Sequence, residues 1–132
     1  MEKCMEIAEI STPRWYKVTL KAGDDLFQSL REFFKEEKLK EAYILSCIGS
    51  LEKVGLAYPK TKQIPPEIDR MSLEGLFEIN GISGNIKKEA GEIKVHLHGS
   101  VSQSGIEVSG GAMNEGTRIF KVAELVIVGT KE

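Results

Sequence analysis

Apolar and polar side chains alternate along this chain with a period that changes from segment to segment. In "RWYKVTL", residues 14–20, Tyr16, Val18 and Leu20 alternate with Trp15, Lys17 and Thr19, the two-residue period of a half-buried strand rich in aromatic and β-branched residues. Past Gly23 the period lengthens. Leu26, Phe27, Leu30, Phe33 and Phe34 form one stripe of an amphipathic helix, and Arg31, Glu32, Lys35 and Glu36 fall mostly off it. The spacing predicts a helix over about 24–38, with Asp24 or Asp25 capping its first amides. Its phenylalanines read as core and not as a ligand cage.

Beyond the helix the pattern returns to strands. "EAYILSCIGSL" and "KVGLAYP" are apolar runs broken by Gly49 and Ser50, which predicts one buried strand turning directly into a second. "KTKQIPPEID", 60–69, carries adjacent prolines that cannot donate to a ladder, so it reads as a loop and a candidate flap. "SLEGLFEINGISGNI", 72–86, reads as strand, turn and strand, with Gly81 and Gly84 as punctuation. "EIKVHLHGSVS" alternates Ile93, Val95 and Leu97 with Lys94, His96 and His98, and "TRIFKVAELVIVGT" supplies a long apolar closing strand. No repeat or linker divides these elements, so the expectation is a single domain over 1–132, of α+β class, with a largely antiparallel sheet packed against one main amphipathic helix.

Composition narrows the function classes. The 132 residues are 41% hydrophobic and 29% charged, the make-up of an ordinary folded domain, and no apolar run approaches the roughly 20 residues that span a bilayer. The acidic start "MEKCMEIAEIS" does not resemble a secretory signal, so a cytoplasmic protein without membrane contact is expected, with Cys4 and Cys47 kept as thiols. Eighteen basic against twenty acidic side chains give a net charge of −2, which argues against an unaided grip on nucleic acid. The clusters "KEEKLKE", "KTK" and "KKE" read as solvated surface.

The candidate chemistry lies in "VHLHGSVSQSGIEVSGGAMNEG", Val95–Gly116, which holds both histidines of the chain. Strand alternation puts His96 and His98 on one face, with Cα atoms roughly 7 Å apart, so two imidazoles can converge on one ion. Three readings are open: a metal site, a pocket for an anion or small ligand, and the polar face of a half-buried strand. Gly99, Gly105, Gly110, Gly111 and Gly116 form a glycine-rich loop that serves either turns and close packing or the approach of backbone amides to a ligand. Glu78 is flanked by Phe77 and Ile79, and it is either a general acid or base beside the histidines or a solvated carboxylate paired with Arg70 or Arg118. No Walker motif, dinucleotide fingerprint or nucleophile elbow is present, and no side chain is assigned as catalytic.

Taken in order, "AYILSCIGSLEKVGLAYP", "LEGLFEINGISGNI" and the stretch from "HLHGSV" to "ELVIV" resemble the plant-and-prokaryote-conserved (PPC) domain, in its free-standing prokaryotic form without an AT-hook. The "IGSL" at 48–51, the "G-x-FEI-x-x-x-SG" at 75–84 and the His-x-His strand leading to a double glycine carry the resemblance. It implies a mixed, mostly antiparallel sheet with flanking helices, a homotrimer, and a DNA-associated regulatory role, since the free-standing prokaryotic members are called predicted DNA-binding proteins. It also implies a metal site of three histidines, of which two correspond to His96 and His98. The third position, directly after the double glycine, is Ala112 here, so zinc would need another donor such as Glu78, Glu107, Glu115 or a group from a neighbouring subunit.

Overall fold

A computed structural model describes residues 4–132. Five strands and one helix follow in the order β1 (Arg14–Lys21), α1 (Leu26–Glu36), β2 (Leu39–Pro59), β3 (Ile68–Glu89), β4 (Glu92–Gln103) and β5 (Glu107–Lys131). The sheet runs β1-β5-β2-β3-β4, and β4 also pairs with β5, so β2, β3, β4 and β5 close into a barrel with β1 attached to β5. Every strand pairing is antiparallel, which corrects the mixed sheet implied by the resemblance. The helical layer is also slight, a single helix of 11 residues.

The closure follows from how long strands bend. β5 pairs with β4 over Glu107–Ala112 and with β2 from Ala112 onward, while its far end holds β1 along Val122–Gly129. Between its β4 and β1 stretches lies the segment that enters α1. The Ile119 amide donates to the Asp24 carbonyl and the Gly23 amide to the Ile119 carbonyl, both at 2.9 Å. The helix packs against β5, β4 and β2 and plugs the barrel. Asp25 caps it, its carboxylate accepting from the Gln28 amide at 2.9 Å, so the second of the two expected capping residues takes that role.

The apolar stripe of α1 is buried as the spacing predicts: Leu26, Phe27, Leu30 and Phe34 are inside, and Phe33 meets Tyr16 edge to face at a ring separation of 5.0 Å. Inward positions of each strand meet this stripe, among them Ile44, Leu51, Ile86, Leu97, Ile119 and Ile127. Cys47 is part of this core, and burial pushes its thiol up to about 12, so it stays protonated and unreactive.

Two predicted breaks are absent. β2 runs unbroken through Gly49 and Ser50, and β3 runs unbroken through Gly81 and Gly84. Gly49 lies under its neighbour strand: a Cβ there would stand 2.1 Å from the Val122 carbonyl oxygen. The glycine serves close approach and strand bending, and the register shifts on either side of it supply the twist that a closed sheet needs. The proline-bearing segment is a connection, as expected, joining β2 to β3.

Candidate functional site

The histidine pair is positioned by a hairpin. β3 and β4 are joined by the two-residue turn Ala90–Gly91, with φ of 50° and 81°, the positive values a type I′ hairpin turn demands at both positions. That turn fixes the register. On the outer face Lys87 stands opposite Lys94, Asn85 opposite His96, and Ser83 opposite His98, while Leu97 points into the core across from Gly84. Gly84 allows the two strands to close at this point, since a Cβ there would lie 1.9 Å from the His96 carbonyl oxygen.

His96 and His98 converge as the alternation predicts. Their Nε2 atoms are 3.1 Å apart and their rings are nearly perpendicular, at 84° with centroids 4.9 Å apart. Two neutral imidazoles in this pose share one N–H···N hydrogen bond, or the facing nitrogens receive a cation. The separation is close to the roughly 3.3 Å between two nitrogens held tetrahedrally at about 2.0–2.1 Å from zinc. The pair therefore fits as two of the ligands of such an ion. Ala112 is directly across from His98 on β5, so the position at which the resemblance places a third histidine does face the pair, with a methyl group in place of a ligand.

Glu78 is not brought to this site within the protomer. It pairs with Ser102, four residues along β4 from His98 and therefore about 13 Å away at 3.3 Å per residue. Asn80 occupies the interval, donating to Ser100 Oγ at 3.2 Å and accepting from Ser102 Oγ at 2.9 Å. Glu78 instead borders a separate depression of about 480 Å³ together with Ser50, Leu76 and Phe120. Of its two proposed partners Arg118 is taken by Glu52, at 2.8 Å, and Arg70 forms no ion pair with it among the described residues. Glu115 is bonded to Arg31, which holds the guanidinium above its ordinary range through that hydrogen bond, and Glu107 pairs with Gln103 at the mouth of the β4–β5 hairpin. Among the described residues no three His, Cys, Asp or Glu side chains converge.

The glycine-rich loop is mostly strand. Gly99 lies in β4, Gly110, Gly111 and Gly116 lie in β5, and only Gly105 sits in the connecting turn. Gly99 and Gly110 let β3, β4 and β5 approach: their Cβ atoms would fall 2.7 Å from the carbonyl oxygens of Gly81 and Gly99 respectively. This corrects the loop reading, because side-chain-free strands and ligand-cradling loops look alike in sequence.

The surroundings of the pair include groups the sequence reading left as plain surface. Asn85, Lys87, Glu89, Lys94 and His96 line a groove of about 420 Å³. Lys94 is bonded to Glu92 at 2.8 Å, which raises the pKa of the ammonium and lowers that of the carboxyl, chiefly through the hydrogen bond itself. What hid the groove is register: Lys87 and Lys94 are seven residues apart in sequence and adjacent only because of the turn.

Known proteins carry the same fold. The Plants and Prokaryotes Conserved (PCC) domain model matches residues 8–131. Among curated proteins, the chain is 29% identical over 119 residues to the bifunctional protein GlmU of a Synechococcus strain, a match covering 90% of this chain but 18% of that protein. The chain thus spans about a fifth of the length of the curated relatives it matches. A plant- and prokaryote-conserved protein from Pyrococcus horikoshii superimposes with a TM-score of 0.82 at 26% identity, covering 96% of this chain and 86% of that one. A metal-containing protein from Archaeoglobus fulgidus does so with a TM-score of 0.82 at 25% identity, covering 97% and 88%. A candidate DNA-binding protein from Bacteroides thetaiotaomicron shares the fold at a TM-score of 0.79 and 22% identity, covering 95% and 83%.

Proposed function

The chain belongs to the Plants and Prokaryotes Conserved domain family, and from that membership we propose a homotrimeric binding protein whose ligand site is built on His96 and His98 and takes a divalent transition metal, zinc first. The observation that carries this reading is the 3.1 Å approach of the two Nε2 atoms on an exposed strand face. The similarity to a metal-containing protein of Archaeoglobus supports it. Two imidazoles supply half of a tetrahedral set, and water, a bound ligand or a neighbouring subunit supplies the rest. Such an ion would act as a Lewis acid or an anchor for an anionic ligand. The trimer is supported by apolar side chains left in solvent: Trp15, Leu45, Ile48, Leu76 and Phe120 are each at least 44% exposed.

Zinc content and affinity test the reading. Elemental analysis of untagged protein is expected to find zinc that is lost in the His96→Ala/His98→Ala variant while its circular dichroism is unchanged. Ala112→His, which places a third imidazole across from His98, is expected to tighten binding by about tenfold or more. Zinc uptake that is unaltered by the double substitution would overturn it.

A second reading is a DNA-associated regulator, favoured by the Bacteroides protein named for that activity. With a net charge of −2, contact with phosphates would depend on a local patch. One such patch is a cleft of about 610 Å³ between α1 and the β3–β4 hairpin, bordered by Arg31, Lys35, Lys88 and Lys94 together with Glu92, where Arg31, Lys88 and Lys94 would have to exchange a carboxylate partner for phosphate. Anisotropy of a labelled duplex, with log K falling against log salt and weakened by Lys35→Glu, is the expected result for this reading. No binding at low salt would reject it.

A further inference from the structure

The outer face beside the histidines carries an arrangement that strand pairing alone disfavours. Lys87 and Lys94 stand directly opposite each other on β3 and β4, and like charges in that position are destabilising. One step along the same face are Asn85 and His96, and one further are Ser83 and His98. Of these, Lys87, Lys94, Asn85 and His96 border one groove of about 420 Å³ together with Glu89, and His98 stands just beyond it. Lys87 forms no ion pair among the described residues, and the partner of Lys94, Glu92, has 71% of its side chain in solvent. An exposed pair of that kind is weakly held, so Glu92 gives way readily to a stronger anion.

We infer that this groove is a phosphate subsite, in which the ammonium groups of Lys87 and Lys94 hold the phosphoryl oxygens of a small phosphorylated molecule whose remaining donors reach the His96–His98 pair. Lysines bind phosphate as point charges without the planar fork that carboxylates favour, and Asn85 offers an amide donor between the two subsites. Two residues, roughly 7 Å, separate Lys94 from His96, which is the span of a phosphate and a few further atoms, and two more lead on to His98. The groove is within the 300–1,000 Å³ range of small-ligand sites. The inference rests on His96 and His98 being the ligand site proposed above, and it adds the class of molecule that site receives.

Calorimetric titration of inorganic phosphate into metal-free and zinc-loaded protein tests it, with zinc content measured in parallel. Saturable binding is expected in the native protein, weakened about tenfold or more in Lys87→Gln, since the substitution removes a charge-assisted hydrogen bond to the phosphate. Lys87→Arg keeps the charge and is expected to retain binding. Lys62→Gln, an exposed lysine in the β2–β3 connection away from the groove, is expected to leave it unchanged. Phosphate binding indifferent to Lys87→Gln, or none at all in protein that holds zinc, overturns the subsite and leaves the histidine site standing. Lys87-dependent phosphate binding in a protein that takes no zinc keeps the subsite and removes the metal.

Discussion

Replacing Phe34 by alanine is expected to lower the free energy of unfolding by about 3–5 kcal/mol, the range for truncating a buried aromatic side chain. Phe34 is 1% exposed and is the largest fully buried side chain among the described residues. It sits in the last turn of α1, on the stripe by which this one helix plugs a barrel otherwise made of sheet. No second helix is present among the described residues to move into the space, so the cavity closes poorly and the loss falls toward the upper end. With an unfolding entropy of about 2.1 cal/mol/K per residue, the midpoint of a 132-residue domain falls by roughly 11–18 °C. Differential scanning calorimetry at fixed protein concentration reads this directly. A fall of only a few degrees would mean that α1 is not the plug described.

Gly84→Ala is expected to be of comparable size and to damage the histidine site as well. The added methyl group would stand 1.9 Å from the His96 carbonyl oxygen and 2.9 Å from Leu97 Cα, both backbone atoms. No rotamer relieves that contact, so β3 and β4 must separate where Asn85 faces His96. Overpacking of this kind costs about 3 kcal/mol, and the displaced strand no longer holds the two Nε2 atoms in register. Zinc affinity is therefore expected to fall with stability. Gly81→Ala is the control on the same strand: its Cβ meets nothing within 4 Å and its backbone needs no positive φ, so its effect should stay within about 0.5 kcal/mol. Equal melting temperatures for the two variants would refute the close approach at Gly84.

These glycines also mark where the sequence stopped being legible. The stripe from Leu26 to Phe34 and the alternation from Tyr16 to Leu20 identified the helix and the first strand, because burial there depends only on local period. Gly49 and Gly84 read as turns in the sequence, although each lies inside an unbroken strand. A glycine that permits a turn and a glycine that permits another backbone to come near are the same letter, and only the neighbouring strand decides between them. The histidine pair was legible for the same local reason as the helix, since a two-residue period fixes its common face. Its surroundings were not. Glu78 belongs with it on chemistry alone and stands about 13 Å off, whereas Lys87, which reads as solvated surface, is brought to its side by the Ala90–Gly91 turn. The resemblance carried the family and the antiparallel sheet, and the pairings removed the mixed character it implied.

The pairing of β5 with three other strands has a temporal consequence for a chain made from its N-terminus. β1, β2 and β4 each need β5 as a partner, and β2 is complete at Pro59, well before β5 begins at Glu107. At about 5–20 residues per second, the roughly 50 intervening residues take several seconds to emerge, and all that while the apolar edge of β2 is without its partner. Folding of this domain is thus held until translation has delivered β5, and the nascent chain spends that interval as a substrate for chaperones or for aggregation.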